Sequence, residues 1–416
     1  MSHFPASRPI AAPGSLARSL HELAWRGVAF GADRVPAPDQ PFWRGIAATG
    51  TRSWLDTGDL DEAGRLWCAS FSALTTNNTL LNKEVQKGLY DGLVRETHAL
   101  VRQLPAQDQV VEIAFLLNAH HGLRLASRFG GRVSVELHTD LSNDVERSVA
   151  FGRRYFAICP EHFIVKVPLT PAGLLATRQL RADGIPVNFT LGFSARQNLI
   201  ATAIAAPSYV NVFLGRLNAY VADNGLGDGK DVGEKVTLAS QRAVRSRSAG
   251  RQVATLQIAA SMRSGKQVAD LAGVDVHTMP GKAAAEAQAA GGAVRDRTGD
   301  DPAVVVAGQQ GLEALWQITP ECLALADSLE SKPPATPGDL VARAAAHGLG
   351  DLFPAFSTEE SAAVTSDGKI PKHARWATRI AAGTAGVDSL LTAAALGSFT
   401  VDQTALDDRI RRFIAA

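Results

Sequence analysis

Lys166 stands in the run FIVKVP (Phe163 to Pro168), otherwise wholly apolar, and no other lysine occurs between Lys87 and Lys230. An ammonium is expensive to bury, and desolvation lowers its pKa and makes the amine a nucleophile toward carbonyls. A lysine that snorkels at a strand end gives the same pattern, so its company decides. Strand alternation supplies that company. In VSVELH, Val133, Val135 and Leu137 are expected to face outward and Ser134, Glu136 and His138 inward. In VNFTL the inward residues are Asn188 and Thr190. The same rule turns Asp56, Asn77, Lys166, Tyr209, Asn211, Phe213 and Ser261 inward. Singly, each has a structural use as cap, ion-pair partner or loop support. Jointly, a buried amine, two carboxylates and several neutral hydrogen-bonding side chains are the equipment for imine chemistry on a polyhydroxylated substrate.

The elements that must position these residues repeat one theme from about residue 51 to 282: a short β-branched or apolar run, then a longer amphipathic helix. Candidate strands are Ser53 to Thr57, Ser72 to Asn77, Arg132 to His138, Phe163 to Pro168, Pro186 to Gly192, Tyr209 to Gly215, Val253 to Ser261 and Val274 to Met279. Thr170-Pro171 then caps a helix directly after the lysine strand. Eight strands within about 230 residues match a closed barrel of the usual ~250. The fold class expected is α/β, a (β/α)8 TIM barrel over residues 51–285. An N-terminal extension (1–50) should carry one helical patch near Leu16 to Val28. A mostly helical C-terminal extension (286–416) should pack on the barrel, broken at Ser331 to Asp339 and closing with the amphipathic TALDDRIRRFIAA. An open doubly wound sheet would need a glycine-rich phosphate loop after its first strand, and Asp56-Thr57-Gly58-Asp59 is not one.

The bulk composition sets outer limits. With 42 Lys+Arg against 41 Asp+Glu the net charge is +1, so no general footprint for nucleic acid or an anionic membrane is expected, and any anion site must be local. Cys68, Cys159 and Cys322 are odd in number and lack metal-ligand spacing, which points to core thiols in a reducing compartment. Residues 1–20 hold no signal-length apolar stretch; Arg, Ser and Ala there fit a transit peptide, but the prolines read more simply as a loose leader, and no run approaches the ~18 residues of a membrane span. The expectation is a cytoplasmic protein, monomer or homodimer, with no metal and no organic cofactor.

With those residues placed, the chain resembles the transaldolase family of class I, Schiff-base-forming (β/α)8 enzymes. The likeness rests on ordered motifs between Trp54 and Lys282: LDTGDL, TTNNTL, VSVEL, FIVKVP, GIPVNFTLGFSARQ, VFLGRL and AASMRS. It implies transfer of a dihydroxyacetone unit from a ketose phosphate, such as sedoheptulose 7-phosphate or fructose 6-phosphate, to an aldose phosphate. Under it Lys166 forms the imine, Asp56 moves the C4 hydroxyl proton, and Glu136 shuttles protons with a water held by Thr190. Asn77, Asn188 and Asn211 bind hydroxyls, Phe213 shapes the pocket, and Arg216, Arg263 and Ser261 hold the phosphate. Departures from the family pattern are Asn78 in place of its proline, His138, Gly192, and Asn211 in place of its serine. They surround the substrate and leave the lysine, both acids and both arginines intact. Two other readings share the barrel: a class I aldolase that releases dihydroxyacetone, and a catalytically silent sugar-phosphate-binding barrel.

Overall fold

A computed structural model describes residues 15–306 and 311–415. The expected leader falls mainly within residues 1–14, outside the described residues. Eight parallel strands close in sequence order into a barrel: β1 (Arg52–Asp56), β2 (Phe71–Thr75), β3 (Arg132–Glu136), β4 (Phe163–Pro168), β5 (Val187–Thr190), β6 (Tyr209–Phe213), β7 (Leu256–Ala260) and β8 (Val276–Met279). β8 returns to β1 through Trp54↔Thr278 and its neighbours. Strands β4, β5 and β6 are buried at every position, because the interior side chains cover one face and the helices the other. Trp54 and Tyr209 meet edge to face inside the barrel, ring centroids 4.8 Å apart.

Local rules explain the crossings. Thr170, Ser194 and Asp144 each accept a backbone N–H at the start of the helix they cap, on Gly173, Gln197 and Arg147. Three helices, Asn78–Gln86, Asp91–Val101 and Ala106–Phe129, fill the β2 to β3 crossing. One hydrophobic core runs from the N-terminal helices through the barrel to the C-terminal ones, and Cys68, Cys159 and Cys322 are buried in it as free thiols.

Four expectations need correction. Among the described residues the N-terminal segment holds two helices, Leu16–Trp25 and Pro41–Ala48. The second was illegible because it is short and carries Gly45. Burial of Phe42, Trp43 and Ile46, with Trp43 against Phe71 at 4.9 Å, holds it instead. β7 begins at Leu256 rather than Val253: pairing with Tyr209 starts there, and Val253 is exposed. His138 lies beyond β3, where its Nδ1 accepts the N–H of Asp140 at 3.1 Å and caps a short 3-10 turn. The amphipathic end is the last part of one helix, Val387–Ala415. Its first half is buried almost all round, so no one-sided periodicity marked it.

That helix is fixed at its start by a buried ion cluster. Arg196 donates from Nε and Nη2 to Asp388, both at 2.8 Å, and forks onto Asp351 at 2.7 and 3.1 Å, while Ser194 Oγ donates to Asp388 at 2.6 Å. Removing one partner of a buried pair typically costs about 3–5 kcal/mol, because the other charge is left uncompensated. The cluster therefore locks the helix to the loop after β5.

Candidate active site

Register aligns Glu136, Lys166 and Asn188 side by side across β3, β4 and β5. Lys166 Nζ lies 3.5 Å from Glu136 Oε1 and donates to the Thr76 carbonyl at 3.3 Å. The two side chains are only 6% and 3% exposed. The second carboxylate oxygen of Glu136 accepts the Asn78 backbone N–H at 3.1 Å. Asp56, on the same inner parity of β1, accepts from Thr75 Oγ1 at 2.7 Å, and Thr75 in turn meets Thr278 Oγ1 at 2.6 Å. Burial raises both carboxyl groups above the ordinary carboxylate range, and the Lys166 charge pulls them partly back.

Neutral groups complete this layer. Asn188 Nδ2 donates to Ser134 Oγ at 3.1 Å, and its Oδ1 accepts from Asn211 Nδ2 at 3.2 Å. Asn211 Oδ1 accepts the Gly192 N–H at 3.3 Å, so the two amides are oriented by fixed partners. Thr190 Oγ1 is buried without a hydrogen-bond partner among the described residues, which leaves its hydroxyl free for a substrate hydroxyl or a water. Asn77 is partly committed elsewhere: its Oδ1 caps helix Asn78–Gln86 through the Leu80 N–H at 2.9 Å. Its Nδ2 is the end left to serve a ligand.

On the far side of the mouth, Arg216 occupies the first turn of helix Leu214–Asp223, directly after β6. It is 5% exposed, and its Nη1 finds no hydrogen-bond partner among the described residues. Burial first, then the guanidinium of Arg263, push it down to about 10, with Asp402 opposing. Its Cζ lies 5.6 Å from the centre of the Phe213 ring. Gly215 permits this arrangement: an added Cβ would collide with the Ser261 carbonyl oxygen and stand 2.8 Å from Arg263 Cγ. Ser261 is left-handed at φ 62, as is Leu191 at φ 71, so backbone strain is stored at the ends of both β7 and β5. Arg216 in the first turn of its helix, buried with an unpaired Nη1, and Arg263 after β7 bring two guanidiniums to one side of the mouth, the donor set an anion such as a phosphate needs.

The C-terminal helix crosses above all of this. Near its start, Thr392 Oγ1 donates to the Leu191 carbonyl at 3.0 Å and accepts from Gln197 at 3.1 Å. Farther along, Asp402 accepts from Thr79, His138 Nε2 meets Asp407 Oδ1 at 3.2 Å, and Arg409 donates to Asp91 at 2.6 Å. Between these anchors Phe399 is buried, its ring centre 5.5 Å from Lys166 Nζ and 5.9 Å from Arg216 Cζ.

The expected residues Asp56, Glu136, Lys166, Asn188, Thr190, Asn211 and Phe213 thus come together at the C-terminal end of the strands, with Arg216, Arg263 and Ser261 on the β6 and β7 side. Sequence reasoning assigned no role to Thr75, Thr76, Thr278, Phe399 and Asp402, and marked Asn78 only as a departure from the family pattern. Thr75 and Thr278 share the inner parity of their strands, and the alternation rule could have found them. Thr76 and Asn78 act through backbone atoms. Phe399 and Asp402 carried no signal, because nothing local in an apolar helix tells which turn will lie over a barrel.

Residues 53–329 match the model of the family described as Transaldolase/Fructose-6-phosphate aldolase. A protein named Transaldolase from Xanthomonas euvesicatoria pv. vesicatoria is 32% identical over 229 residues, 53% of this chain and 70% of its own. One named Probable transaldolase from Thermus thermophilus is 34% identical over 232 residues, 55% of this chain and 86% of its own. The family match contains every site residue expected from the sequence and ends before the C-terminal helix.

Proposed function

The chain belongs to the transaldolase/fructose-6-phosphate aldolase family, and we propose that it is a transaldolase acting through an imine on Lys166, moving a dihydroxyacetone unit between sugar phosphates. The carrying observation is the enclosed amine, 3.5 Å from one carboxylate and sharing the barrel interior with a second. A proton passes from the ammonium to Glu136, whose burial favours holding it. The free amine adds to the C2 carbonyl of the ketose phosphate. Glu136, with a water at Thr190, returns a proton as the carbinolamine loses water. Asp56 then removes the C4 hydroxyl proton, the C3–C4 bond breaks, and its electron pair enters the imine to give an enamine while the aldose phosphate leaves. A new aldehyde adds to the enamine C3, Asp56 gives the proton back to its oxygen, and water added at C2 of the resulting imine breaks the C–N bond to release the new ketose phosphate and the free amine.

Asn77, Asn188 and Asn211 bind hydroxyls in this scheme, Phe213 bounds the pocket, and Arg216, Arg263 and Ser261 hold the phosphate. The setting is the sugar-phosphate metabolism of a cytoplasmic enzyme, the pentose phosphate pathway or a related route. No helix among the described residues is long and apolar enough to cross a membrane.

Borohydride added in the presence of fructose 6-phosphate tests the scheme. A three-carbon adduct is expected on the peptide that holds Lys166, and an adduct on another lysine, or none, refutes it. Arg216→Ala is expected to raise KM for phosphorylated donors by ~100-fold while changing KM for dihydroxyacetone little. Steady-state kinetics on both donors checks this, and an equal rise for the two would remove the phosphate role.

A further inference from the structure

The residues matched to the family cannot by themselves separate its two chemistries, since its description covers both a transferase and an aldolase. After cleavage both hold the same enamine. Transfer adds an aldehyde carbonyl carbon to the enamine C3. Release instead puts a proton on C3 to give an iminium, adds water at C2, and breaks the carbon–nitrogen bond so that dihydroxyacetone departs and the amine of Lys166 is regenerated. The two routes part at C3, which takes either the aldehyde carbon or a proton, and both then take up water at C2 to free their product from Lys166, so access of a proton-bearing water to C3 governs the partition.

We propose that Phe399 is a specificity-determining residue that holds this site to transfer. The inference rests on the imine reading above. The ring lies 5.5 Å from the nitrogen that carries the enamine and 5.9 Å from the Arg216 guanidinium. It therefore roofs the track from the reacting carbon to the phosphate. A buried aromatic ring offers water no hydrogen bond, whereas an aldose phosphate is drawn beneath it by the unpaired Nη1 of the arginine. The roof is held at both ends, through Asp388 and Thr392 on the β5 side and through Asp402 on Thr79 and Asp407 on His138 on the other. A helix of ~1.5 Å per residue covers roughly 28 Å between positions 388 and 407, enough to bridge a barrel mouth.

The test measures free dihydroxyacetone from fructose 6-phosphate alone and transfer to glyceraldehyde 3-phosphate, in the parent enzyme and in Phe399→Ala, Phe399→Leu and Thr79→Val. Opening the roof to water should raise the ratio of release to transfer ~10-fold in Phe399→Ala and less in Phe399→Leu. Thr79→Val, which leaves the ring and the core intact but frees one anchor, is expected to move the ratio the same way by a few-fold. It decides the matter if the Phe399 variants do not fold. A ratio equal to that of the parent, or release and transfer falling in parallel, overturns the proposal. Borohydride trapping runs alongside: absence of a Lys166 adduct in the parent enzyme would sink the imine reading itself. An adduct with an unmoved ratio would sink only the role of Phe399.

Discussion

Lys166→Met is expected to lower kcat/KM for transfer by ~10⁴-fold or more, because no other amine stands on the inner face of the barrel among the described residues to form the imine. Methionine fills a similar volume without a charge, so the side chain fits where the stem of Lys166 already lies, 4% exposed. The change also removes the cation that pulls Asp56 and Glu136 back toward ionisation. Both carboxyl groups then rise further and tend to be neutral, which limits the structural penalty. A coupled spectrophotometric assay and a denaturant titration separate the two effects. Activity within tenfold of the parent, in a folded variant, would rule out Lys166 as the nucleophile.

The second large effect concerns Asp56. Asp56→Asn keeps the shape and can still meet Thr75, but it cannot take a proton from the C4 hydroxyl, and ~10³-fold is expected on kcat. Imine trapping should persist, since Glu136 still stands 3.5 Å from the amine. The pH profile gives an independent readout. In the proposed scheme Asp56 acts as a base and must start ionised, and burial raises its pKa. The acid limb of kcat/KM in the parent enzyme should therefore lie above the ordinary carboxylate range, activity falling as the pH drops through it. Because two carboxyl groups and an amine interact there, the limb belongs to the cluster. Asn at position 56 should alter its shape and position. A profile identical to the parent's would mean that another group moves the proton.

Much of this was legible in the sequence, for a physical reason. A parallel strand buried on both faces shows its inner residues only when they are polar, and in β3, β4 and β5 they are Ser134 and Glu136, Lys166, and Asn188 and Thr190. The inward parity read in each of these strands agrees with the register that sets Glu136, Lys166 and Asn188 side by side. Strand ends were blurred where apolar sequence runs past the last pairing, as Val253 does before β7. His138 continued the alternation of β3 on paper, but its ring turns back to cap Asp140. Helix Pro41–Ala48 escaped notice because tertiary burial, not propensity, sustains it. The roof was invisible for the deepest reason: Thr79 and Asp402 are 323 positions apart, and His138 and Asp407 are 269 apart. Local periodicity holds no record of such pairings.

Those separations also dictate an order of events. Every strand of the barrel lies within residues 52–279, while the bar over its mouth begins at Val387, so the catalytic cup can close into shape before its cover exists. Bringing the cover home means closing very long chain loops, a step that follows the nearer pairings. Alongside its polar anchors Leu391, Phe399, Leu406 and Ile410 tie this helix into the common core, so it opens locally, turn by turn, rather than as a whole. Backbone hydrogen exchange along Leu396–Asp402 would record how often the vessel is uncapped.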